Sequence, residues 1–341
     1  MTSNTCLDDF EFREDGFFAD GGGSPCVLIG TVEFTDFWNA FDACFSSPLG
    51  RKLIYAATDA EESYLSSIQR AQFGKWFGRR RALAYLHQRA ACMGWGLFQQ
   101  RQITSPAHDA LTVGWMLAHQ EHLSQQRLTL EWSQPTNDQI LLKLGPNQQP
   151  MTAPPSLQPL SWLASNGEEN RPSGSRLLDL DHRGATLYAG QARSFFLPAS
   201  VLQRLVNGLR GRPVSVDGAM FTCDLDESVE ETGLFKAVAH ASFLAYNNTD
   251  HPVYLQTASD WKGHFSLHLG DRGFGHVEVD KSILDGDDCT EFVVHSHLPA
   301  MVAGTVVGMW CRAHGQRGNV SCSMVEGCLR LTIREPRMNY E

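Results

Sequence analysis

Basic residues are scarce in this chain of 341 residues, where 28 Lys and Arg stand against 38 Asp and Glu for a net charge of -10. A surface with that balance does not suit the phosphate backbone of a nucleic acid. The one short basic run, Arg79–Arg81, is interpreted as the solvated face of a helix. We therefore expect no nucleic-acid partner.

Paired cysteines and long apolar runs are also missing. The nine cysteines are odd in number and contain no Cys-x-x-Cys pair, which predicts free, mostly buried thiols in a reducing cytoplasm. The N-terminal residues lack a basic region followed by an apolar one. The most apolar helix, around residues 301–311, is well short of the roughly 18 residues that cross a bilayer. We expect a cytoplasmic protein without a membrane span.

Signatures of several common active sites are absent. No Gly-x-Ser-x-Gly elbow occurs, and Gly21–Gly23 precedes no helix of the kind that cradles phosphate. The acidic run Asp285–Asp288 lacks the distal glutamate of a calcium loop and is explained by turn chemistry. These absences exclude dinucleotide binding and serine hydrolysis, and they leave any cofactor unknown.

Composition and length predict two folded domains. Hydrophobic residues make up 42% and charged residues 19%, which is typical of a folded protein. Residues 1–24 are polar and are interpreted as a leader, followed by a first domain at 25–145. A Pro-rich stretch at 146–175 is interpreted as a linker, and a second domain fills 176–341. The alternation of helical and strand periodicities predicts an α+β fold, with helices packed on an antiparallel sheet in each domain.

The chain is organised around a stretch near its C-terminus. Gly273–Gly275 reads Gly-Phe-Gly and precedes two strand-like runs. A helix at 299–314 then carries small residues and is apolar around most of its circumference, which places it between layers. A hairpin closes the stretch and ends in the alternating segment Leu329–Ile333.

A thinner copy of this order begins at Gly94–Gly96, which reads Gly-Trp-Gly. Gly114 then aligns with Gly304 in the two central helices, and Gln139 aligns with Cys328 in the two final strands. Agreement in order and element type predicts an internal duplication, packed as a pseudo-dimer.

The Gly-aromatic-Gly, the Gly-containing helix and the hairpin with Cys322 and Gly327-Cys328 resemble the 4-vinyl-reductase type domain. That domain is related in fold to small subunits of the vesicle-tethering transport particle. Residues 48–56 are similar to the family's early helix. The resemblance implies tandem α+β domains and a habit of forming dimers, so a homodimer is one expectation. It also implies binding of a small apolar or aromatic effector, or an accessory or assembly role.

The same resemblance implies a zinc ion held by C-terminal cysteines, for which Cys311, Cys322 and Cys328 are the candidates, with His297 near them in sequence. The strand phase argues against this, since alternation places Cys322 on one face of the hairpin and Cys328 on the other. We therefore expect buried thiols and no metal site.

Four residues are candidates for ligand binding. His295 and His297 are two apart on a strand and share a face, which suits metal binding, proton transfer, or simple bonding to backbone at a strand end. Trp95 and Phe274 are equivalent in the repeat, and they either fill the core or line a ligand pocket. No catalytic residue is assigned.

We expect a non-catalytic protein of the bacterial regulator type, which senses a small molecule or serves as an accessory or assembly factor through a protein partner. The alternatives are an enzyme that uses His295 and His297, and a scaffold without a ligand. A sensor predicts an enclosed apolar pocket beside Trp95 or Phe274. An enzyme predicts two histidines converging with a carboxylate, and a scaffold predicts filled cores with an exposed apolar patch.

Overall fold

A computed structural model describes residues 10–67, 78–158, 160, 162, 179–216 and 220–336. These residues form an α+β fold, as the sequence predicts. The α-helices are α1 (Thr31–Ala43), α2 (Lys52–Ser67), α3 (Gly78–Cys92), α4 (Asp109–Ser124), α5 (Ala199–Asn207), α6 (Val229–Asn247), α7 (Trp261–His268) and α8 (Pro299–His314). The strands are β1 (Glu11–Phe12), β2 (Phe18–Ala19), β3 (Pro25–Gly30), β4 (Leu97–Gln99), β5 (Gln102–Thr104), β6 (Leu128–Thr136), β7 (Gln139–Pro146), β8 (Leu180–Arg183), β9 (Thr186–Ala189), β10 (Ala192–Pro198), β11 (Phe221–Asp224), β12 (His276–Lys281), β13 (Thr290–His295), β14 (Asn319–Val325) and β15 (Cys328–Arg334).

A six-stranded sheet lies where the two halves of the chain meet, in the order β1-β2-β3-β10-β9-β8. Its central strands β3 and β10 run antiparallel, with Leu28 opposite Phe196. The segment 1–24, interpreted from its polarity as a leader, therefore contributes β1 and β2 to this sheet. Residues 1–9 of that segment and residues 163–175 of the predicted linker lie outside the described part of the chain.

Two smaller sheets share one topology. The first has the order β4-β5-β7-β6, and the second has β12-β13-β15-β14 with β11 added beyond β14. In both, chain order runs through two strands, one helix (α4 or α8) and a hairpin. This agreement matches the predicted duplication. The pairings within these sheets are antiparallel, as predicted, except that β11 pairs with β14 in parallel.

Each half of the chain places its first hairpin against the other half: β1–β2 contacts the second half, and β8–β9 contacts the first half. The Gly96 N–H donates to the Ala185 carbonyl at 3.1 Å, and the Gly275 N–H donates to the Gly16 carbonyl at 2.8 Å. Helix α1 packs on α6, and α5 packs on α2, so each hairpin and its helix cover the opposite half. One continuous hydrophobic core results. The two halves of the chain are therefore interlocked in space.

Close helix packing in each half depends on a glycine. A Cβ at Gly304 of α8 would lie 2.0 Å from the Ala239 carbonyl oxygen of α6. A Cβ at Gly114 of α4 would lie 2.4 Å from the Ile54 carbonyl oxygen of α2. Small-residue positions of this kind allow the two helix backbones to approach closely, as expected for a helix between layers.

A buried charge network joins β2, α2, α3 and α4 in the first half. Arg89 Nη1 donates to Asp20 at 2.9 Å, and Arg89 Nε donates to Glu61 at 2.8 Å. His119 Nε2 lies 3.0 Å from the same Glu61 carboxylate. All four residues are buried. Burial alone would raise the pKa of Glu61, but the Arg89 charge and the His119 hydrogen bond lower it to about 2.

The sequence predicts no membrane span and free cysteines, and the structure bears on both predictions. Within the described residues, no helix is both long and apolar enough to cross a membrane. Among the residues that the structure describes, seven cysteines are free, as predicted, but Cys92 is disulfide-bonded. The expectation of free thiols throughout is therefore wrong for Cys92.

Candidate functional site at the edge strand β12

A groove of about 630 Å³ runs between α7 and β12, which is the last strand of its sheet. It is open to solvent along one side rather than enclosed. Phe265 of α7 and Val277 and Val279 of β12 provide its apolar lining. Residues 14–16 line the groove as well, and they belong to the turn between β1 and β2 in the other half of the chain.

Glycine brings these backbones together. Gly275 has φ +91°, and a Cβ there would lie 2.0 Å from the His295 carbonyl oxygen. Its N–H bonds to Gly16, and the next pair of residues outward, Phe17 and Phe274, forms an isolated antiparallel bridge. The second glycine of the Gly-Phe-Gly motif thus positions the first residues of β12 against β13 and the β1–β2 turn.

The charge in the groove is predominantly negative. Two lysines line it, Lys262 and Lys281, against six carboxylate side chains, which are Glu14, Asp15, Glu278, Asp280, Asp285 and Asp287. Lys281 also binds Glu291 at 3.0 Å. Two of the carboxylates form ion pairs with arginines, Asp15 with Arg13 and Asp280 with Arg330, so the excess of negative charge is smaller than the count of side chains indicates. An acidic rim over an apolar floor favours a ligand with a cationic group and an apolar body.

Two histidines and a carboxylate meet on the outer face of β12 and β13. His276 is the direct cross-strand partner of His295, and their rings stack with centroids 4.3 Å apart and an interplanar angle of 6°. Glu278 lies two residues after His276 on the same face of β12. Its Oε1 lies 3.5 Å from His276 Nε2 and 3.8 Å from His295 Nε2.

Cys328 of β15 lies on the other side of His295. Its Sγ is 3.5 Å from His295 Nδ1, whereas His295 Nε2 faces Glu278. Cys322 belongs to the opposite, buried face of the hairpin, where it pairs with Leu331 and with Cys223. The arrangement agrees with the strand-phase argument that Cys322 and Cys328 point to different sides of the sheet.

His297 does not join His295, because β13 ends at His295 and the chain turns there toward α8. The His297 ring is buried edge-on against Phe17, with centroids 5.0 Å apart. The neighbour of His295 is His276, which is 19 positions earlier in the sequence. The predicted pair is therefore replaced by a cross-strand pair, which depends on the register of β12 and β13 and has no signal in the local sequence.

Trp95 and Phe274 occupy the core. Trp95 is fully buried, stacks on Trp115 at 3.9 Å and donates its indole N–H to the Phe196 carbonyl at 2.8 Å. Phe274 is 5% exposed and precedes the groove-lining Gly275 without lining the groove itself. Both side chains are thus packed in the core, and Phe274 also lines a separate small cavity near α8.

Comparison with known proteins gives no match. No family model, no curated protein and no solved structure is significantly similar to this chain.

Proposed function

We propose that this chain is a non-catalytic binding protein, which takes a small organic ligand in the groove between α7 and β12 and passes the signal to a protein partner. The observation that carries the proposal is the groove itself. It is not the enclosed pocket beside Trp95 or Phe274 that the sequence predicts, since it is open along one side and neither residue lines it. A volume of about 630 Å³ with an apolar floor falls within the range of ligand sites, roughly 300–1,000 Å³.

The lining indicates the ligand class. Phe265, Val277 and Val279 suit an apolar or aromatic body, and the surrounding carboxylates suit an ammonium or another cationic group. The ligand class we propose is therefore a small organic amine. This extends the expectation of an apolar or aromatic effector that came from the resemblance to 4-vinyl-reductase type domains, which itself remains a proposal.

The enzyme alternative loses the pair it named, because His297 packs on Phe17 instead of joining His295. Two histidines do converge with a carboxylate, but they are His276 and His295 with Glu278, so acid–base chemistry at that cluster is the second candidate function.

A cytoplasmic location is proposed on the seven free cysteines of the described residues, against which the disulfide at Cys92 is an opposing observation. A protein partner is proposed because no DNA-binding or ATPase module was recognised in the sequence to carry the output.

The groove is tested with two substitutions on α7. Lys262 is exposed and lines the groove, so Lys262→Trp is expected to cover it without disturbing the core. Leu267→Trp is the matched control, since Leu267 is exposed on the same helix but does not line the groove. A thermal-shift screen with a panel of small aliphatic and aromatic amines is the measurement. We expect selected amines to raise the Tm of the wild type and of Leu267→Trp, but not of Lys262→Trp.

Two results contradict the proposal. One is a panel in which no amine raises the wild-type Tm. The other is a set of amines that stabilise Lys262→Trp as strongly as the wild type, because binding would then lie elsewhere. As a folding check, the Tm of Lys262→Trp without ligand is compared with the Tm of Leu267→Trp without ligand, and equal values indicate that both variants fold alike.

A further inference from the structure

We propose that His276, Glu278 and His295 form a binding site for one divalent transition-metal ion, with zinc as the expected occupant. The ligand atoms of these three residues all lie within 4.8 Å of one another. Imidazole nitrogen with a carboxylate oxygen is a donor set that zinc takes in proteins, and three protein ligands leave a fourth position open.

The distances are close to those that an ion requires. Zinc–ligand bonds of about 2.0–2.1 Å in a tetrahedral site separate neighbouring ligand atoms by about 3.3 Å. Glu278 Oε1 lies 3.5 Å from His276 Nε2 and 3.8 Å from His295 Nε2. The carboxylate is therefore near coordination distance, but the His276 and His295 rings are stacked with an interplanar angle of 6° and have to rotate about χ2 before both Nε2 atoms point at one shared ion.

The backbone presets the three side chains. Antiparallel pairing of β12 and β13 places His276 directly opposite His295, and the two-residue period of β12 places Glu278 on the same face. The His276 and His295 side chains are 22% and 15% exposed, while Glu278 is 56% exposed. The site is thus partly covered yet reachable from solvent.

Cys328 supplies an outer contact. Its Sγ lies 3.5 Å from His295 Nδ1, the nitrogen on the far side of the ring from Glu278. In the tautomer with the proton on Nδ1, that nitrogen donates to the sulfur and Nε2 is the ligand atom. Metal-binding histidines in proteins are commonly oriented through their second nitrogen in this way.

The internal repeat gives an independent comparison. In the first half, Leu97 is paired with Thr104 as His276 is paired with His295. Gln99 lies two residues after Leu97, and Gln139 is paired with Thr104 in the next strand. The same scaffold positions therefore carry no histidine, carboxylate or thiol in the first half, but carry ligand-type residues at all four places in the second half. Packing of the shared fold does not require them.

The inference does not depend on the organic ligand proposed above. His276 and Glu278 also line the groove, so an ion held by them would lie in its wall. Metal binding is tested with the ion alone, and its failure leaves the amine screen unaffected.

The experiment uses the untagged full chain, stripped with a chelator and verified as metal-free by elemental analysis. Isothermal titration with Zn²⁺ is expected to give one ion per chain. His276→Gln and His295→Gln are each expected to weaken binding by more than about 100-fold, since loss of an outer contact alone costs about 10–100-fold. Glu278→Gln is expected to weaken Zn²⁺ binding as well. Because the Glu278 side chain is 56% exposed, this substitution is not expected to disturb folding, so weaker binding would report the loss of a ligand.

Two further variants sharpen the test. Cys328→Ser is expected to lower Zn²⁺ affinity by about 10-fold without changing stoichiometry. His264→Ala is the matched control, because His264 is a histidine of α7 that bonds to the Tyr254 carbonyl and is expected to leave affinity unchanged. Absence of stoichiometric Zn²⁺ binding overturns the proposal, as do Glu278→Gln and His295→Gln proteins that bind Zn²⁺ like the wild type.

Discussion

Gly304→Ala is expected to destabilise the protein by about 3 kcal/mol, near the upper end of the usual cost of overpacking. The added methyl would lie 2.0 Å from the Ala239 carbonyl oxygen and 2.8 Å from its carbonyl carbon. Because the obstacle is backbone, α8 has to move away from α6 and lose contacts along the whole helix pair. Denaturant unfolding measures the effect.

A matched control lies in α7. Gly263→Ala adds the same methyl to a helix where no atom lies within 4 Å, and it is expected to stabilise the helix by up to about 1 kcal/mol. Gly114→Ala is expected to behave like Gly304→Ala, because its methyl meets the Ile54 carbonyl oxygen at 2.4 Å. Unfolding free energies for Gly304→Ala and Gly114→Ala equal to that of the wild type would show that these helix pairs are not closely packed.

Arg89→Met is expected to cost about 3–5 kcal/mol, because it leaves the carboxylates of Asp20 and Glu61 buried without their partner. The comparison variant is Lys143→Met, which breaks a pair with Glu131 whose side chains are 80% and 70% exposed. That change is expected to leave the unfolding free energy close to that of the wild type, because solvent screens an exposed pair. Equal losses in the two variants would contradict the buried network.

The ionisation of Glu61 predicts how the unfolding free energies of the wild type and of Arg89→Met depend on pH. Burial raises its pKa, and Arg89 and His119 lower it to a net value of about 2. In the wild type the ionised Glu61 therefore stabilises the fold above its unfolded pKa of about 4.3, and this contribution is lost as pH falls toward 2. Without Arg89 the burial effect is expected to dominate, so the deficit of Arg89→Met should shrink between pH 7 and pH 5. A deficit that grows over this range would contradict that sign.

Much of the fold could be predicted because individual helices and strands follow from the local spacing of apolar residues. Alternation in Leu329–Ile333, and the small residues of 299–314, indicate a strand and a buried helix by themselves. The repeated Gly-aromatic-Gly gives the duplication. Strands β1 and β2 have only two residues each, which is too short for a periodic signal, so the sheet joining the two halves could not be predicted.

The candidate site depends on pairing between strands that the sequence does not specify. His276 and His295 become neighbours only through the register of β12 and β13. His295 and His297 are close in sequence, but the end of β13 separates them. Exchange of the hairpins likewise brings Gly16 to Gly275, across more than 250 positions of the chain. Nothing local in either segment indicates that contact.

The most direct test of the central claim is native mass spectrometry of the purified wild type and of Lys262→Trp. If the groove between α7 and β12 is a ligand site, the wild type is expected to carry an organic mass beyond the polypeptide and any bound metal. Lys262→Trp is expected to lack that organic mass. A wild type without retained organic mass, or the same retained mass on both proteins, would contradict the assignment of the groove as the ligand site.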